Sequence, residues 1–304
     1  MTTYSLSTMW AKQDRFLDID LFVRAAEALG YDAIEISHAT PEEPFDRLLN
    51  GSSAKISSIH APAPLSRVAG KNNSSLNLAS LDEEERRPAI DYTKRSIDHA
   101  AAAGARYVVV HLGGVGNAMF ESELRGRRLF DAGKRETEEF AAACRETVER
   151  RAEAAPPYLE RARETLAELA AHARERGVAI GLENRFHHHE IPLAGEALAL
   201  LADYPAELAG YWHDVGHAEV QARLGYVDKL SWLDALGPRT LGTHLHDVDG
   251  IGDHRAPGNG DVDWSYIARG LPATALRVFE IDQRQPDDAV GRAIPFLRER
   301  GVVA

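Results

Sequence analysis

The sequence predicts an α/β protein of the (β/α)8 TIM-barrel class, from its length, its strand count and its alternation of strands with helices. A chain of 304 residues is long for a sandwich, and it suits one α/β barrel of ~250 residues with insertions. Eight short β-branched runs alternate with amphipathic stretches along the chain. This alternation implies parallel strands joined by right-handed crossovers. We expect one barrel domain over residues 1–304, because no repeat or low-complexity linker interrupts it.

The predicted elements follow in chain order. The eight strands are predicted at 4–9, 32–37, 55–60, 106–112, 178–183, 208–214, 240–247 and 276–282. Helical patterns cover 20–30, 89–104, 192–204 and 286–301. The first of these helices closes on Gly30, and the second has Pro88 in its first turn and Gly104 as its stop, as the positional preferences of Pro and Gly predict.

Two segments exceed what a barrel needs. Residues 62–87 form a polar, Ser/Asn/Gly-rich loop after the third strand, and we expect it over the C-terminal mouth of the barrel as a functional or disordered loop. Residues 117–176 form a helical insertion between the fourth and fifth strands, which Pro156 and Pro157 are expected to break into at least two helices. Its charge pattern is typical of a solvated helical hairpin. A lid or a subunit contact is the alternative, which leaves a homo-oligomer open.

The net charge of −12 argues against a nucleic-acid partner, since such proteins carry a basic surface. It excludes neither a phosphorylated substrate held by one or two arginines nor a divalent cation. The single Cys144 is expected to be a small apolar core residue and fits a reducing compartment. No apolar run approaches a membrane span and no secretory signal is visible, so we expect a cytoplasmic protein without a membrane partner.

Ionisable side chains lie at the C-terminal ends of six consecutive predicted strands, where barrel enzymes place their chemistry. They are His60, His111, Glu183, Asp214 followed by His217, His244 with His246, and Glu280. Such groups repel and desolvate one another at one buried point unless a cation compensates. Carboxylates with imidazoles suit Zn²⁺, Mn²⁺, Fe²⁺ or Co²⁺ better than Ca²⁺. His244 and His246 share a parity, so strand alternation alone does not choose between them.

Two loops supply candidate substrate contacts. In residues 184–192, "NRFHHHEIP", Arg185 suits a carboxylate, phosphate or sugar hydroxyl, and His187 or His189 could line a pocket. The alternative is a mobile surface loop. In residues 246–264, the glycines and Pro257 predict a tight loop that brings Asp253, His254 and Arg255 near the mouth, with a plain surface turn as the alternative. The candidate substrate-binding residues in these two loops are Arg185, His187, His189, His246 and Arg255.

The ordered motifs "SSIHAP", "VVVHLGG", "GLENR", "HDVGHA", "THLHD", "DHRAPGNGDVDW" and "VFEID" resemble the xylose-isomerase-like barrel superfamily. This superfamily includes sugar and sugar-phosphate isomerases and epimerases, and also apurinic-site endonucleases. The resemblance to the epimerase branch implies one divalent metal on Glu183, Asp214, His244 and Glu280, with the family spacing HxxD selecting His244 over His246. It implies that the two glutamates are the catalytic acid–base pair. His217 resembles a substrate-contacting or second-metal histidine.

The endonuclease branch implies more metal. It holds three zinc ions, and its additional histidines match His60, His111, His217 and His254. It also uses an aspartate two positions before the last of these, where this chain has Gly252 with Asp253 beside it. One, two or three metal ions therefore remain open.

These observations together predict a divalent-metal-dependent isomerase or epimerase of a sugar or sugar phosphate. It would transfer a proton through a metal-stabilised enediolate, with Zn, Mn, Co or Fe as the metal. A metal-dependent hydrolase or lyase with a multi-zinc site is the alternative, and a non-catalytic barrel is a third reading. The expected partner is a small carbohydrate-like molecule.

Overall fold

Eight parallel strands close into a barrel in the computed structural model, which describes residues 3–68 and 70–304. Residues 1–2 of the expected domain and residue 69 of the expected 62–87 loop lie outside the described residues. The described strands are β1 (Tyr4–Ser7), β2 (Ala33–Ile36), β3 (Ile56–His60), β4 (Arg67–Val68), β5 (Lys71–Asn72), β6 (Tyr107–Val110), β7 (Ala179–Glu183), β8 (Ala209–Asp214), β9 (Thr240–Leu245), β10 (Asp247–Asp249), β11 (Gly252–Arg255) and β12 (Leu276–Phe279).

The barrel confirms the predicted fold class. Its strands follow one another around the ring in the order β1, β2, β3, β6, β7, β8, β9 and β12, and β12 pairs with β1. Each corresponds to one of the eight predicted strands. The predicted C-terminal ends were too long for five of them, and in three of these five His111, His246 and Glu280 come directly after the strand and not within it.

Ten helices are described: α1 (Ile19–Ala28), α2 (Glu42–Asn50), α3 (Glu83–Ala102), α4 (Glu121–Asp131), α5 (Glu138–Arg176), α6 (Ala194–Leu201), α7 (Val215–Arg223), α8 (Leu230–Leu236), α9 (Trp264–Gly270) and α10 (Asp287–Glu299). Sequence analysis did not identify α2, α7, α8 and α9, which have only seven to nine residues. Such short helices present too few turns for a clear apolar period. Among the described helices, none is both long and apolar enough to traverse a membrane.

Helix α3 begins earlier than predicted, so Pro88 lies inside it and not in its first turn. The Asp82 carboxylate accepts a hydrogen bond from the backbone N–H of Glu84 at 3.0 Å, which caps the helix start. Three glutamates occupy the first turn, where negative charge is favoured by the helix dipole. These N-terminal signals outweigh the positional preference of the single proline.

The segment between β6 and β7 holds α4 and α5, and the predicted break at the proline pair was wrong. Helix α5 runs through Pro156 and Pro157 for 39 residues, and the chain breaks instead between α4 and α5. The prolines deprive the carbonyl groups of Ala152 and Glu153 of helical partners. Both of these residues are exposed, so water can satisfy the two carbonyls while the opposite face of the helix stays packed.

The loop after β3 is folded over the mouth of the barrel by two asparagines. The Asn73 side chain accepts from the N–H of Ser66 at 3.0 Å and donates to the carbonyl of Pro64 at 2.9 Å. Asn77 accepts from the N–H of Gly114 at 3.1 Å and donates to the carbonyl of the same residue at 3.0 Å. The loop is thereby tied to the segment that follows β6.

Trp212 forms the floor beneath the mouth. It is completely buried in a cluster with Tyr107, Val109, Ala179 and Val278. Gly181 and Gly242 make room for its ring, because a Cβ atom on these glycines would come within 2.6 and 2.4 Å of it. The Trp212 ring centroid lies 5.5 Å from that of His244, so the floor closes the barrel directly below the polar residues.

Candidate metal centre

Four buried side chains from four neighbouring strands converge at the barrel mouth. Glu183 and Asp214 end β7 and β8, His244 lies in β9, and Glu280 directly follows β12. Nδ1 of His244 lies 3.2 to 3.4 Å from one carboxylate oxygen of each of the other three residues. None of the four is more than 3% exposed. The predicted four-residue set is therefore brought together around one ring nitrogen.

The chemistry of this set fits a divalent cation. One donor atom from each of the four residues lies within 4.8 Å of all the others. Three carboxylates buried at one point repel one another and lose hydration unless positive charge is supplied. Three oxygens with one nitrogen suit Zn²⁺, Mn²⁺, Co²⁺ or Fe²⁺.

The carboxylates and histidines of this centre shift one another's pKa values. Burial alone would lower the pKa of His244, but Glu280, Glu35 and Glu183 raise it well above its ordinary value. Burial would likewise raise the pKa of Glu183, and the neighbouring histidines hold it well below its ordinary value. In the metal-free protein, a proton on His244 therefore supplies positive charge at the point where a metal would otherwise supply it.

Glu35 fixes the orientation of His244, and sequence analysis missed it. Its Oε1 lies 3.0 Å from Nε2 of His244, and Ser58 Oγ donates to its Oε2 at 2.7 Å. All three side chains are completely buried. A carboxylate that holds one ring nitrogen leaves the other free to bind a metal. The sequence feature that could have identified Glu35 is its position as an acid within the apolar run "DAIEIS" of β2.

The hydrogen bonds of His246 favour His244 as the ligand. The backbone N–H of His254 donates to Nδ1 of His246 at 2.9 Å, so the proton of a neutral His246 must sit on Nε2. That nitrogen lies 3.0 Å from both carboxylate oxygens of Asp214. Nε2 thus donates to Asp214 and has no lone pair for a metal. His246 orients a candidate ligand.

A second group of donors joins the first through Glu183. Nδ1 of His60 donates to the Ala61 carbonyl at 3.1 Å, and its Nε2 lies 3.1 Å from Oε2 of Glu183. Nε2 of His111 lies 2.9 Å from the same oxygen. Burial lowers the pKa of His111 to about 3, with Arg185 adding to the shift. These three side chains could hold a further cation.

A third group consists of His217, Asp253 and His254. Nδ1 of His217 donates to the Asn184 carbonyl at 3.0 Å, and its Nε2 lies 3.7 Å from Oδ2 of Asp253. Oδ1 of Asp253 lies 3.0 Å from Nδ1 of His254. The aspartate of this group is Asp253, next to Gly252 in the hairpin of β10 and β11. His254 has a φ of 56°, a strained value for a non-glycine residue.

The histidine-rich segment after β7 is largely buried and hydrogen-bonded, unlike the surface loop of the alternative interpretation. His188 and His189 are buried, with 1% and 8% exposure. Within the segment, Nη2 of Arg185 pairs with Oε1 of Glu190 at 2.6 Å. The carboxylate of Glu190 also accepts from the N–H of His187 at 2.8 Å. Arg185 is therefore already paired with an acid that sequence analysis did not assign.

Two residues of the long helical segment hold this loop in place. Glu123 of α4 is completely buried, accepts from the N–H of His188 at 3.1 Å, and lies 3.3 Å from Nδ1 of His187. Although burial opposes it, His187, His189 and Arg127 hold the pKa of Glu123 well below its ordinary value. Arg151 of α5 donates to the carbonyl of His188 at 2.6 Å and to that of Glu190 at 3.0 Å. Sequence analysis missed both residues.

A cavity of about 210 Å³ opens beside this loop. Its polar wall includes His38, Asn77, His111, Arg185, His189 and Glu190. Arg255 is not among its lining residues. Its side chain is 43% exposed and lies 3.8 Å from Asp249 within the hairpin of β10 and β11. Of the predicted substrate contacts, Arg185 and His189 are thus the two that line this cavity, while Arg255 lies apart.

Comparisons with known proteins agree with the fold. The family model described as "Xylose isomerase-like TIM barrel" matches residues 23–300. An uncharacterised protein, y4fM of Sinorhizobium fredii, is 28% identical over 217 residues, which is 71% of this chain and 57% of that protein. A D-tagatose 3-epimerase-like protein superposes with a TM-score of 0.66 and 19% identity, covering 98% of this chain and 97% of the other. The D-psicose 3-epimerase of Clostridium cellulolyticum H10, solved with D-tagatose, superposes with a TM-score of 0.67 and 15% identity, covering 100% of both chains.

Proposed function

The chain belongs to the xylose isomerase-like TIM-barrel family, and from that premise we propose that it is a divalent-metal-dependent sugar isomerase or epimerase. The proposed reaction removes a proton from a carbon beside a carbonyl group and returns one to the substrate. The observation that carries the proposal is the position of Glu183 and Glu280, whose carboxylates lie 3.3 and 3.2 Å from the same nitrogen of His244.

The residues that would hold the metal are Glu183, Asp214, Glu280 and Nδ1 of His244. A divalent ion held there would stabilise the negative charge that develops on adjacent substrate oxygens as the proton leaves. Glu35 keeps His244 in its ligand orientation, and His246 does the same for Asp214. The neutral Trp212 floor keeps water out from below, which strengthens electrostatic interactions at the mouth.

Glu183 and Glu280 are the proposed proton-transfer pair. A carboxylate within reach of the substrate carbon accepts its proton, and a second group returns a proton to the same or the opposite face. Nearby histidines hold the pKa values of both glutamates below their ordinary range despite burial, so both carboxylates are ionised at neutral pH.

The similar solved structures support a sugar substrate, since the two described above are a D-tagatose 3-epimerase-like protein and a D-psicose 3-epimerase. The alternative of a metal-dependent hydrolase or lyase draws on the second and third donor groups, which could hold additional ions. It is not favoured, because neither of these structures is a hydrolase or a lyase.

The test is conversion of a panel of ketoses by protein that has been stripped with a chelator and then reloaded with Mn²⁺, Co²⁺ or Zn²⁺. We expect a new stereoisomer or aldose only in reloaded samples, and its loss in Glu183→Gln and Glu280→Gln. Glu149→Gln, at an exposed position of α5, is the matched control. Undiminished conversion by stripped protein or by both active-site variants would overturn the proposal.

A further inference from the structure

We infer that the cavity beside His111 is a subsite for the uncharged hydroxyl-bearing end of the substrate, so that the enzyme acts on an unphosphorylated sugar. This inference rests on the proposed function, because it concerns the substrate of the same site. It specifies whether the substrate is phosphorylated, which the metal-binding residues alone do not define.

The cavity adjoins the carboxylate cluster at His111. His111 lines the cavity, and its Nε2 lies 2.9 Å from Oε2 of Glu183. The volume of about 210 Å³ corresponds to about seven water molecules at ~30 Å³ each. That space accommodates the carbinol carbons of a sugar whose carbonyl end lies at the acidic cluster.

Two residues of the cavity wall each carry a buried side-chain nitrogen that has no hydrogen-bond partner among the described residues. The two atoms are Nη1 of Arg185 and Nδ1 of His38. Arg185 is 9% exposed. Buried polar atoms without partners are costly and uncommon in native proteins. Two of them beside one cavity indicate a ligand that offers hydrogen-bonding groups to both residues.

The charges on the cavity wall favour a neutral ligand. Arg185 is the only arginine among the lining residues, and no lysine is present there. Two nitrogens of its guanidinium contact Oε1 of Glu190, at 3.2 and 2.6 Å, so the positive charge is compensated within the protein. A phosphate of charge near −2 requires uncompensated donors such as a free arginine. Hydroxyl groups, which both donate and accept, need no such surplus charge.

Asn77, another polar residue of the cavity wall, is committed to the fold. Both oxygen and nitrogen of the Asn77 amide bond to the backbone, with partners that include Ala79 and Gly114. Asn77 therefore shapes the wall, and Arg185 with Glu190 remains as the charged pair that faces the ligand. A single change in this pair should alter which ligands the cavity accepts.

The experiment uses Mn²⁺-loaded protein and two carbonyl-free probes, xylitol and xylitol 5-phosphate, with binding measured by titration calorimetry. We expect xylitol to bind and its phosphate to bind at least about tenfold more weakly. Arg185→Met should weaken xylitol binding by about tenfold, the typical effect of losing hydrogen bonds to a charged group. Arg145→Met, an exposed position on α5, is the matched control and should bind as the wild type does.

Glu190→Gln is expected to increase an affinity, which a misfolded variant would not do. This variant removes the compensating charge from Arg185, so it should bind xylitol 5-phosphate more tightly than the wild type does. Absence of xylitol binding, tighter binding of the phosphate by the wild type, or unchanged probe binding in both Arg185→Met and Glu190→Gln would overturn the inference. Because neither probe can isomerise, xylitol binding without any ketose conversion would reject the proposed function while retaining the polyol subsite.

Discussion

Glu35 and His244 form a buried carboxylate–imidazole pair, with 3.0 Å between Oε1 and Nε2. The other ring nitrogen of His244 faces the three carboxylates of the candidate metal centre. A ring held at one nitrogen cannot rotate, so the pair sets the direction of the candidate ligand. Ser58 in turn holds the second oxygen of Glu35. The centre is therefore supported from β2 and β3, on the opposite side of the barrel from β9.

Glu35→Gln should weaken metal binding by roughly 10- to 100-fold, the usual effect of losing a carboxylate behind a ligating histidine. Competition with a fluorescent chelator measures this without relying on turnover. Glu27→Gln, on the exposed face of α1, is the control. Unchanged affinity in Glu35→Gln, with its circular dichroism intact, would show that the carboxylate has no part in holding His244.

Glu123→Gln should loosen the histidine-rich loop. The substitution removes a buried charge that lies within 3.5 Å of Nδ1 of both His187 and His189. Such a loss should lower the free energy of unfolding by about 1–3 kcal/mol and raise KM more than it lowers kcat. Denaturant unfolding and steady-state kinetics measure these effects against Glu139→Gln, an exposed control on α5. If the two variants have the same free energy of unfolding and the same KM, Glu123 does not hold the histidine-rich loop in place.

His188 should make the protein less stable as the pH falls from about 6.5 to about 4. Burial lowers its pKa to about 4, partly offset by its hydrogen bond to Gln221, whereas in the unfolded chain it titrates near 6.5. Between these values the unfolded state binds more protons, so the free energy of unfolding drops by up to ~3 kcal/mol. Denaturant unfolding across this range should show a smaller drop in His188→Gln. An identical pH dependence in that variant excludes this residue as the cause.

Elemental analysis of protein purified without chelator should give about one divalent ion per chain, since the four-ligand set of Glu183, Asp214, His244 and Glu280 suffices for the proposed reaction. His111→Ala should leave that stoichiometry unchanged. Two or three ions per chain, with a loss on this substitution, would instead support a multi-metal hydrolytic centre.

Local pattern in the sequence predicts the barrel and the ionisable residues at its strand ends, whereas the family resemblance selects Glu183, Asp214, His244 and Glu280 among them. Apolar runs end in His, Asp or Glu, and barrel geometry brings the ends of parallel strands together. The supporting residues depend on contacts between distant parts of the chain. Glu35 is 209 residues from His244, and Glu123 is 65 residues from His188. The continuity of α5 through Pro156 and Pro157 likewise depends on tertiary packing, which outweighs the local signal of two prolines.

The central claim is that Glu183 and Glu280 transfer a proton at a carbon beside a carbonyl group, and solvent deuterium incorporation tests it most directly. Metal-loaded protein is incubated in D2O with a panel of unphosphorylated ketoses, and proton NMR follows the hydrogens beside the carbonyl. We predict loss of such a signal in at least one ketose with the wild type, and no loss with either Glu183→Gln or Glu280→Gln. No exchange in any ketose, or exchange at the wild-type rate in both variants, would contradict the account.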